Sequence, residues 1–365
     1  MSVFLIDAGR EWRDSQGQIL YIARELRKKT IAAHLILEPG SEILRRASAE
    51  GLPALPVRMH GRMGWLVRKI LVREMRARGC KLVHVHETFG AALGLAAAAA
   101  AQVPVRILSR PADSSPLEGG LPFPSLDAVI AGTEAVKSIL IRGGVPEKGI
   151  EVIPPGVDFT RFTSLPPGDL VRRELELGPE DFLVGAVLPL EDERGQQAFL
   201  EAAAIVGGQA PKVKIVVLGE GTLRLESGEG QDVPVMEGLR YYLGHRADAP
   251  RILSSLNMFV VFSHLDGLGG YLVEAMASGL PVAAVDVGAA RDLITHRESG
   301  LLVPPRNAKA LADAILKVHF DRNLAARLAA KGREAALEKY SSEAMARRII
   351  GVYEWRAHRK GIKLG

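Results

Sequence analysis

The chain has 365 residues, and because one domain usually takes about 100–200 residues, this length predicts two domains. Hydrophobic residues make up 47% of the chain, which excludes wholesale disorder, and the single cysteine, Cys80, excludes an internal disulfide and a cysteine-built zinc site. The net charge of +5 is uneven, because residues 1–165 carry 22 basic and 16 acidic residues whereas the remaining 200 carry 25 and 26.

The first half of the chain alternates short apolar runs with stretches of helical periodicity. The apolar runs predict six strands, at residues 3–6, 34–37, 82–85, 105–108, 128–131 and 151–153. The stretches between them predict helices at residues 18–28, 41–50, 65–78, 91–101 and 135–142. Strands that are apolar on both faces and alternate with helices are typical of a parallel sheet covered on both sides, so we expect a doubly wound α/β domain.

The same alternation starts again after a proline-rich break at residues 160–169. It predicts strands at residues 182–187, 213–218, 258–262, 282–285 and 301–303. The predicted helices lie at residues 196–206, 270–278, 308–319, 325–337 and 342–358. We therefore expect an N-terminal Rossmann-like domain at residues 1–165, a second one at residues 166–340, and a C-terminal helix at residues 341–365.

The clearest functional pattern lies at residues 263–280, where a glycine-rich loop joins a buried strand to a helix. The unpaired amides at such a helix start, together with the helix dipole, favour an anion such as phosphate. Glycines in the loop let a ligand approach the backbone closely. Asp266 precedes the helix and Glu274 lies about one turn inside it, so both carboxylates can accept hydrogen bonds from hydroxyl groups beside a diphosphate. The alternative is a glycine-rich connection with two solvated acids.

This segment resembles the signature of glycosyltransferase family 4, which has the GT-B fold. The family signature has two acids eight positions apart around Gly-x-Gly, and here they are Asp266 and Glu274, with the sequence EAMASGLPV from Glu274 onwards. Three more blocks match in order, at residues 152–162 (VIPPGVDFTRF), 285–288 and 300–304. The resemblance covers nearly the whole chain. It implies two Rossmann-like domains that face a central cleft, with the C-terminal helix crossing back to the N-terminal domain.

The resemblance also implies an activity. Such enzymes transfer a sugar, with retention and without a metal or other cofactor, from a nucleotide-sugar donor on the C-terminal domain to an acceptor on the N-terminal domain. Glu274 would hold the ribose hydroxyls, Asp266 the sugar hydroxyls, and the loop amides the diphosphate. The implied donor-binding residues are Gly185, Gly219, Gly267, Leu268, Gly269, Gly270 and Glu274. UDP, GDP and ADP all remain open as the nucleotide.

The sequence departs from the family at the cations that usually contact the diphosphate. Family members usually have an arginine just after the glycine of the first strand of the C-terminal domain, and here that position is Ala186. They also have a lysine a few residues later, and the best match to it here is Arg194. Arginine also binds phosphate, with a different geometry. We expect Arg194 to contact the diphosphate, the alternative being a solvated residue paired with Glu193. Because one lost transition-state donor typically costs about 2.7–4 kcal/mol, either another cation substitutes or the enzyme is slow or inactive.

The first loop of the N-terminal domain departs as well. Asp14 and Ser15 occupy positions where many family members have two glycines, and Gly17 follows one turn later. We expect Ser15 and Gly17 to line the site without an assigned chemical role. Arg110, after a predicted strand, is a weaker candidate for the cleft.

Two histidines stand at the end of another strand of this domain. His84 and His86 flank Val85, and we expect them on opposite faces of the sheet, with His86 directed to the cleft. The resemblance implies that His86 contacts the transferred sugar. A hydrogen-bonded structural histidine is the alternative.

A basic segment between Met59 and Lys81 contains seven lysines and arginines against one acid, Glu74, and mixes them with apolar side chains. A basic amphipathic helix can lie on an anionic membrane surface. The alternative, which we favour for the packing, is a helix with its apolar side on the sheet and a solvated basic face that could still touch lipid headgroups. No nucleic-acid partner is expected, because no reader motif appears.

Together these observations predict a retaining glycosyltransferase that acts on a glycan or glycolipid acceptor in the synthesis of cell-surface polysaccharide or lipopolysaccharide. One alternative is a catalytically degraded GT-B protein that binds nucleotide or glycan without transfer, and another is hydrolysis or epimerisation of a nucleotide sugar. The N-terminus lacks the basic region of a signal peptide, and no apolar stretch reaches the roughly 20 residues that span a bilayer. We expect a cytoplasmic protein that could associate peripherally with the inner face of the membrane.

Overall fold

The computed structural model describes residues 2–10, 14–60, 63–86, 91–110, 125–160, 168–187, 193–218, 240–244, 249–262 and 269–363. The chain divides into two compact units. Unit 1 comprises Met1–Gly156 and Ser342–Gly365, and unit 2 comprises Val157–Ser341. Each unit is built around one parallel sheet.

Unit 1 contains a seven-stranded sheet in which all neighbouring strands are parallel. Its strands are β1 (Ser2–Asp7), β2 (Ala32–Leu37), β3 (Ala54–Pro56), β4 (Cys80–His86), β5 (Val105–Arg110), β6 (Ala128–Ala131) and β7 (Ile150–Val152). The order across the sheet is β3-β2-β1-β4-β5-β6-β7. The helices are α1 (Asp14–Lys28), α2 (Glu42–Ala49), α3 (Gly64–Ala77), α4 (Ala91–Ala100) and α5 (Glu134–Arg142), and a short 3-10 helix covers Glu147–Gly149.

Unit 2 repeats this plan with six parallel strands. They are β8 (Phe182–Val187), β9 (Val213–Leu218), β10 (Arg240–Gly244), β11 (Met258–Val261), β12 (Val282–Val285) and β13 (Leu301–Val303), in the order β10-β9-β8-β11-β12-β13. The helices are α6 (Leu170–Glu174), α7 (Glu193–Gln209), α8 (Ala249–Leu253), α9 (Gly269–Ala277), α10 (Gly288–Leu293), α11 (Ala308–Phe320) and α12 (Arg322–Lys339). A last helix, α13 (Ser342–His358), belongs to unit 1.

The first strand of each sheet is buried on both faces, and alternation along the strand explains how. In β1, Val3 and Leu5 belong to the hydrophobic cluster on one face, whereas Phe4 and Ile6 belong to the cluster on the other. In β8 the alternate residues likewise divide between two clusters. Such strands need helices on both sides, which is the doubly wound arrangement that the apolar runs predicted.

Polar side chains fix where several helices begin. Thr133 Oγ1 accepts a hydrogen bond from the Val136 amide at the start of α5, at 3.1 Å. Asn307 and Asp321 cap α11 and α12 in the same way, each at 2.9 Å. Each cap satisfies one amide that has no partner inside its helix, so the sequence itself sets these boundaries.

The predicted C-terminal crossing is confirmed within unit 1. Helix α13 packs against α1, and its Met345, Ile349 and Ile350 share one hydrophobic cluster with Ile19 of α1. The Arg348 guanidinium donates a hydrogen bond to the carbonyl of Val152 in β7, at 2.9 Å. The final helix therefore completes the cover of the first sheet.

The predicted strands are observed to within two residues at each end, but two observed strands, β3 and β10, were not predicted. Strand β3 has only three residues and follows Pro53, so it carries neither a long apolar run nor a clear alternation. Strand β10 has five residues, RYYLG, whose apolar run is only three residues long. Both missed strands lie at the edge of a sheet. An edge strand pairs with one neighbour instead of two, so its sequence is less restricted and its pattern is weaker.

Among the described residues, no helix is both long and apolar enough to cross a membrane.

Both sheets have a switch point, where the strand order reverses around the first strand. In unit 1 it lies between β1 and β4, and in unit 2 between β8 and β11. The helices that follow these neighbouring strands pack on opposite faces of the sheet, α1 and α4 in unit 1 and α7 and α9 in unit 2. In doubly wound proteins this arrangement provides a crevice at the carboxyl ends of the strands. Ligands of doubly wound proteins bind in this crevice.

Helix α12 packs so closely on its neighbours at Gly332 that a larger side chain there should destabilise the protein. A Cβ added at Gly332 would lie 2.9 Å from the Ser299 carbonyl oxygen and 3.7 Å from Cγ of Met276 in α9. We expect Gly332→Ala to lower the free energy of unfolding by about 1–3 kcal/mol in urea titrations, because the backbone must move.

The matched control is Gly208→Ala in α7 of the same unit, where an added Cβ meets nothing within 4 Å. This substitution should be neutral or stabilise by up to about 1 kcal/mol, as alanine usually does in a helix. Equal effects of the two substitutions would contradict the close approach of α12.

Candidate functional site

In unit 2 the candidate donor segments leave the two strands that flank the switch point. Strand β11 lies beside β8, with Val261 opposite Val187 at their carboxyl ends. The segment after β8 leads to α7, which contains Arg194, and the segment after β11 leads to α9. The topology therefore brings the two predicted phosphate-contacting segments to one edge of the sheet.

Helix α9 offers an accessible start. Gly270 is exposed, and a Cβ added there would meet nothing within 4 Å, so a ligand can approach this part of the backbone. The first amides of a helix have no partner inside it, and the helix dipole favours an anion beside them. At the other end Gly279 adopts a φ of +77°, which stops the helix where the sequence predicted.

The inner face of α9 is held firmly. Leu272, Val273, Ala275 and Met276 are all buried, whereas Glu274 is only half-buried one turn from the helix start. Glu274 is therefore only partly enclosed, on a helix that packing fixes in place.

The remaining donor candidates fall into two groups. Asp266, Gly267, Leu268 and Gly219 lie outside the described residues, as does the side chain of Arg194. Gly269 is the first residue of α9. Gly185 lies within β8, where an added Cβ would come within 2.3 Å of Cδ1 of Leu256, so packing against this side chain already favours a glycine.

Ala186 carries the clearest departure from the family. Its side chain is fully buried in a hydrophobic cluster that includes Val184, Val260 and Phe262. At this position the described strand therefore supplies core packing and no cation.

In unit 1 the switch point gathers polar side chains at the ends of β1 and β4, where Asp7 lies opposite His86. Asp7 Oδ1 accepts hydrogen bonds from the Gly9 amide at 2.7 Å and from Gln16 Nε2 at 3.1 Å. Gln16 is buried, and its Oε1 has no hydrogen-bond partner within the part of the chain that the structure describes. Sequence reasoning missed Asp7 and Gln16, although a carboxylate at the end of a buried strand was an available signal.

The observed α1 differs from the prediction. Its described part begins at Asp14, four residues before the predicted start, and Gln16 in its first turn is hydrogen-bonded to the end of β1. Ser15 and Gly17 consequently lie in its first turn, although a loop was expected, and Gly17 is buried. The side chain of Ser15 is outside the described residues.

The expectation that the two histidines point to opposite faces is wrong. Residues two apart in a strand share a face, and the rings of His84 and His86 lie 4.0 Å apart between centroids. His84 is fully buried; its Nδ1 shares a hydrogen bond with the hydroxyl of Tyr353 in α13, and its Nε2 lies 2.7 Å from Ser109 Oγ. His84 is therefore a structural residue that ties β4 to β5 and to α13.

His86 differs from His84 in its hydrogen bonding. It is 3% exposed, and its Nε2 has no hydrogen-bond partner among the residues described. Burial lowers the pKa of His86 to about 3, so the ring is neutral near pH 7 and can exchange a hydrogen bond with a hydroxyl group. Arg110 is buried at the end of β5, the next strand along the sheet.

No group of three or more His, Cys, Asp or Glu side chains that could hold a metal ion occurs among the described residues.

Comparison with known proteins gives two family matches. Residues 17–161 match the model of Glycosyltransferase Family 4, and residues 181–321 match that of Glycosyl transferases group 1. The first match lies in unit 1 except for its last five residues, 157–161, and the second lies within unit 2.

Curated relatives and solved structures agree with these matches. The lipopolysaccharide core biosynthesis mannosyltransferase of Rhizobium meliloti is 31% identical to this chain over 239 residues. The matched part is 63% of this chain and 66%, about two thirds, of that protein. The phosphatidyl-myo-inositol mannosyltransferase of Mycolicibacterium smegmatis is 27% identical over 93% of this chain and 89% of its own. The fold is similar to that of HepE from Anabaena in complex with UDP and glucose, with a TM-score of 0.75 at 20% identity over 97% of this chain and 99% of that one.

The buried His86 generates a prediction about pH. Its pKa of about 3 in the folded state lies below the roughly 6.5 of an unfolded histidine, so between these values the unfolded chain binds a proton that the folded chain does not. The free energy of unfolding therefore falls as the pH falls through this window, by at most about 1.4 kcal/mol per pH unit from this group. We expect His86→Asn to reduce the slope of unfolding free energy against pH in urea titrations.

The control for this measurement is His358→Asn, an exposed histidine on α13 of the same unit. We expect a smaller slope in His86→Asn than in His358→Asn. A slope that His86→Asn does not change would show that His86 is protonated as readily in the folded chain as in the unfolded one.

Proposed function

Because the chain belongs to the family 4, group 1 glycosyltransferases, we propose that it transfers a sugar from a nucleotide-sugar donor to a glycan or glycolipid acceptor. The observation that carries this proposal is the position of the family signature in unit 2. The signature runs from the end of β11 through α9 to β12, beside the switch point where doubly wound sheets bind ligands.

The donor would bind at this switch point. The amides of residues 267–270 would hold the diphosphate, and Arg194 would neutralise part of its charge. Glu274, half-buried on a fixed helix, would accept hydrogen bonds from the ribose hydroxyls, and Asp266 would accept them from the transferred sugar. Oriented amides matter for catalysis because negative charge develops on the departing nucleoside diphosphate in the transition state.

Transfer would retain the configuration of the sugar and need no metal ion. A donor phosphate oxygen would take the proton of the acceptor hydroxyl, so no side chain has to act as a base. A neutral His86 fits this chemistry, because its buried Nε2 can orient a sugar hydroxyl without adding a charge. Ser15, Gly17 and Arg110 would border the acceptor side.

The acceptor class is proposed from the relatives. They are named for the synthesis of lipopolysaccharide core, capsular polysaccharide and phosphatidylinositol mannosides. We assign this chain to the same broad task, the assembly of cell-surface polysaccharide or glycolipid.

A second function has one observation in its favour. Ala186 lies in the hydrophobic core where the family usually places a phosphate-contacting arginine, which fits a protein that binds nucleotide or glycan without transferring sugar. The two functions differ in turnover. A transferase releases nucleoside diphosphate in an acceptor-dependent manner, in the presence of EDTA as well, whereas a binding protein holds the donor unchanged.

The donor site is tested with a thermal-shift panel of UDP-, GDP- and ADP-sugars. We expect one nucleotide class to raise the melting temperature of the full chain, and Glu274→Gln to reduce that shift strongly, because the ribose hydroxyls lose a charged acceptor.

The matched control is Glu338→Gln, which removes an exposed carboxylate from α12 of the same unit and should keep the shift. A full shift in Glu274→Gln would overturn the ribose assignment. No shift with any of the three nucleotide classes would overturn donor binding itself.

A further inference from the structure

A chain of buried hydrogen bonds runs from the last helix of unit 1 to the carboxyl end of β5. The Tyr353 hydroxyl in α13 shares a hydrogen bond with Nδ1 of His84, and Nε2 of His84 lies 2.7 Å from Ser109 Oγ. Tyr353 and His84 are fully buried, whereas Ser109 is 6% exposed and lies one residue before the end of its strand. The chain of hydrogen bonds therefore leads from the interior of the unit towards the edge of its sheet.

The burial of Tyr353 determines the direction of these hydrogen bonds. Burial holds the pKa of Tyr353 well above its ordinary value, so the phenol keeps its hydrogen. Among the described residues, the hydroxyl has no hydrogen-bond partner other than His84. A buried hydroxyl hydrogen without an acceptor costs free energy, so Tyr353 donates to Nδ1 of His84.

His84 passes this direction on to Ser109. Burial lowers the pKa of His84 well below its ordinary value, so the ring is neutral and carries one hydrogen. Because Nδ1 accepts from Tyr353, that hydrogen is on Nε2, which donates to Ser109 Oγ. Ser109 therefore accepts from His84 and keeps its own hydroxyl hydrogen for another partner.

Ser109 lies beside His86 at the carboxyl ends of the strands. The two residues are opposite each other in the register of β4 and β5. They share one face of the sheet, because Ser109 contacts His84 and the ring of His86 lies 4.0 Å from that of His84. Nε2 of His86 also has no partner in the described part of the chain. A hydroxyl hydrogen and an imidazole nitrogen are thus available together where doubly wound sheets bind ligands.

We propose that Ser109 is a sugar-binding residue that donates a hydrogen bond to a hydroxyl group of the ligand beside His86, and that His84 and Tyr353 are positioning residues that fix the direction of the Ser109 hydroxyl. That the ligand is a sugar rests on the proposed function, whereas the order of the hydrogen bonds does not. A serine hydroxyl and a neutral imidazole suit a sugar hydroxyl, which is both a donor and an acceptor, and neither adds a charge.

The three groups also have the order of a nucleophilic triad, in which a histidine takes the proton of a serine and a third group orients the histidine. That chemistry requires a lone pair on Nε2 of His84. Here Tyr353 donates to Nδ1 and so places the hydrogen on Nε2, and His84 cannot take the proton of Ser109. The arrangement therefore favours binding of a ligand over covalent attack on it.

The first measurement is NMR of the histidine ring nitrogens in the full chain, without ligand. We expect His84 to carry its hydrogen on Nε2 alone. Ser109→Ala should keep this tautomer, because Tyr353 still donates to Nδ1. Tyr353→Phe should populate the tautomer with the hydrogen on Nδ1, because Ser109 can then donate to Nε2.

The second measurement is the affinity for the methyl α-glycosides of mannose, glucose and galactose, followed by the ring signals of His86. We expect at least one of these sugars to shift the signals, and Ser109→Ala to weaken its binding about two- to tenfold, as the loss of one neutral hydrogen bond does. Tyr353→Phe should weaken binding as well. In the double variant it should add nothing to Ser109→Ala, because Tyr353 acts through Ser109.

Two other buried hydroxyl groups provide matched controls. Ser2 begins β1 at the opposite end of the same sheet, and its Oγ donates to the Arg78 carbonyl at 2.8 Å. The Tyr340 hydroxyl donates to the Asp292 carbonyl in unit 2 at 3.0 Å. Ser2→Ala and Tyr340→Phe each remove a buried hydrogen bond, yet should change neither the His84 tautomer nor the affinity for sugar. Melting temperatures show which variants are folded.

Three results would overturn the proposal. They are a hydrogen on Nδ1 of His84 in the unsubstituted chain, an absence of sugar binding or the same affinity in Ser109→Ala, and effects of Ser109→Ala and Tyr353→Phe that add. The first two decide the proposal even if Tyr353→Phe does not fold. None of the measurements uses a nucleotide, so a chain that fails here but is stabilised by a nucleotide sugar keeps its donor site and loses only this inference.

Discussion

Burial of the first strand on both faces is the constraint on which the rest of each unit depends. Strand β1 in unit 1 and β8 in unit 2 must be covered by helices above and below, so the chain has to leave them in both directions. The strand order then reverses around them, and the chain leaves neighbouring strands toward helices on opposite faces of the sheet. In doubly wound proteins this arrangement provides the crevice in which ligands bind at the carboxyl ends of the strands.

Each unit uses this crevice with different chemistry. In unit 2 the edge presents backbone, at a helix start with an open glycine, followed by the half-buried Glu274. In unit 1 the edge presents buried side chains, Asp7, Gln16 and His86, which are held by strand ends and by one another. Amides suit a diphosphate and neutral or acidic side chains suit hydroxyl groups, so the proposed division between donor and acceptor matches the local chemistry.

Much of the fold could be predicted because burial leaves a strong pattern in the sequence. Strands β6, β8, β9, β12 and β13 have the predicted bounds, since each is a short, mostly apolar run with a glycine, a proline or a charged residue next to at least one of its ends. The edge strands β3 and β10 and the short helices α6, α8 and α10 were missed, because three to six residues carry too little periodicity. The start of α1 was misplaced, and the contact of Gln16 in its first turn with Asp7 is one that no local pattern reveals.

The site was predictable where it is made of contiguous sequence and less so where it is made of neighbours in space. The glycine-rich segment before α9 and Glu274 form one continuous motif, whereas the pairing of Asp7 with His86 joins residues 79 positions apart. The prediction for His84 placed it on the wrong face of the sheet, because residues two apart in a strand share a face. Its structural role depends on a hydrogen bond to Tyr353, which is 269 positions away in the sequence. Helical periodicity likewise does not tell which of two apolar faces a sheet will cover, and α3 exposes one of them, formed by Trp65, Leu66 and Ile70.

The central claim, that the crevice between β8 and β11 holds a nucleotide, is tested most directly by hydrogen exchange of backbone amides with and without UDP, GDP and ADP. We expect the nucleotide that binds to slow exchange in peptides covering residues 188–195 and 263–275, and to leave the peptides of α11 and α12 unchanged. Slowed exchange confined to other segments, or no change with any of the three nucleotides, would contradict it.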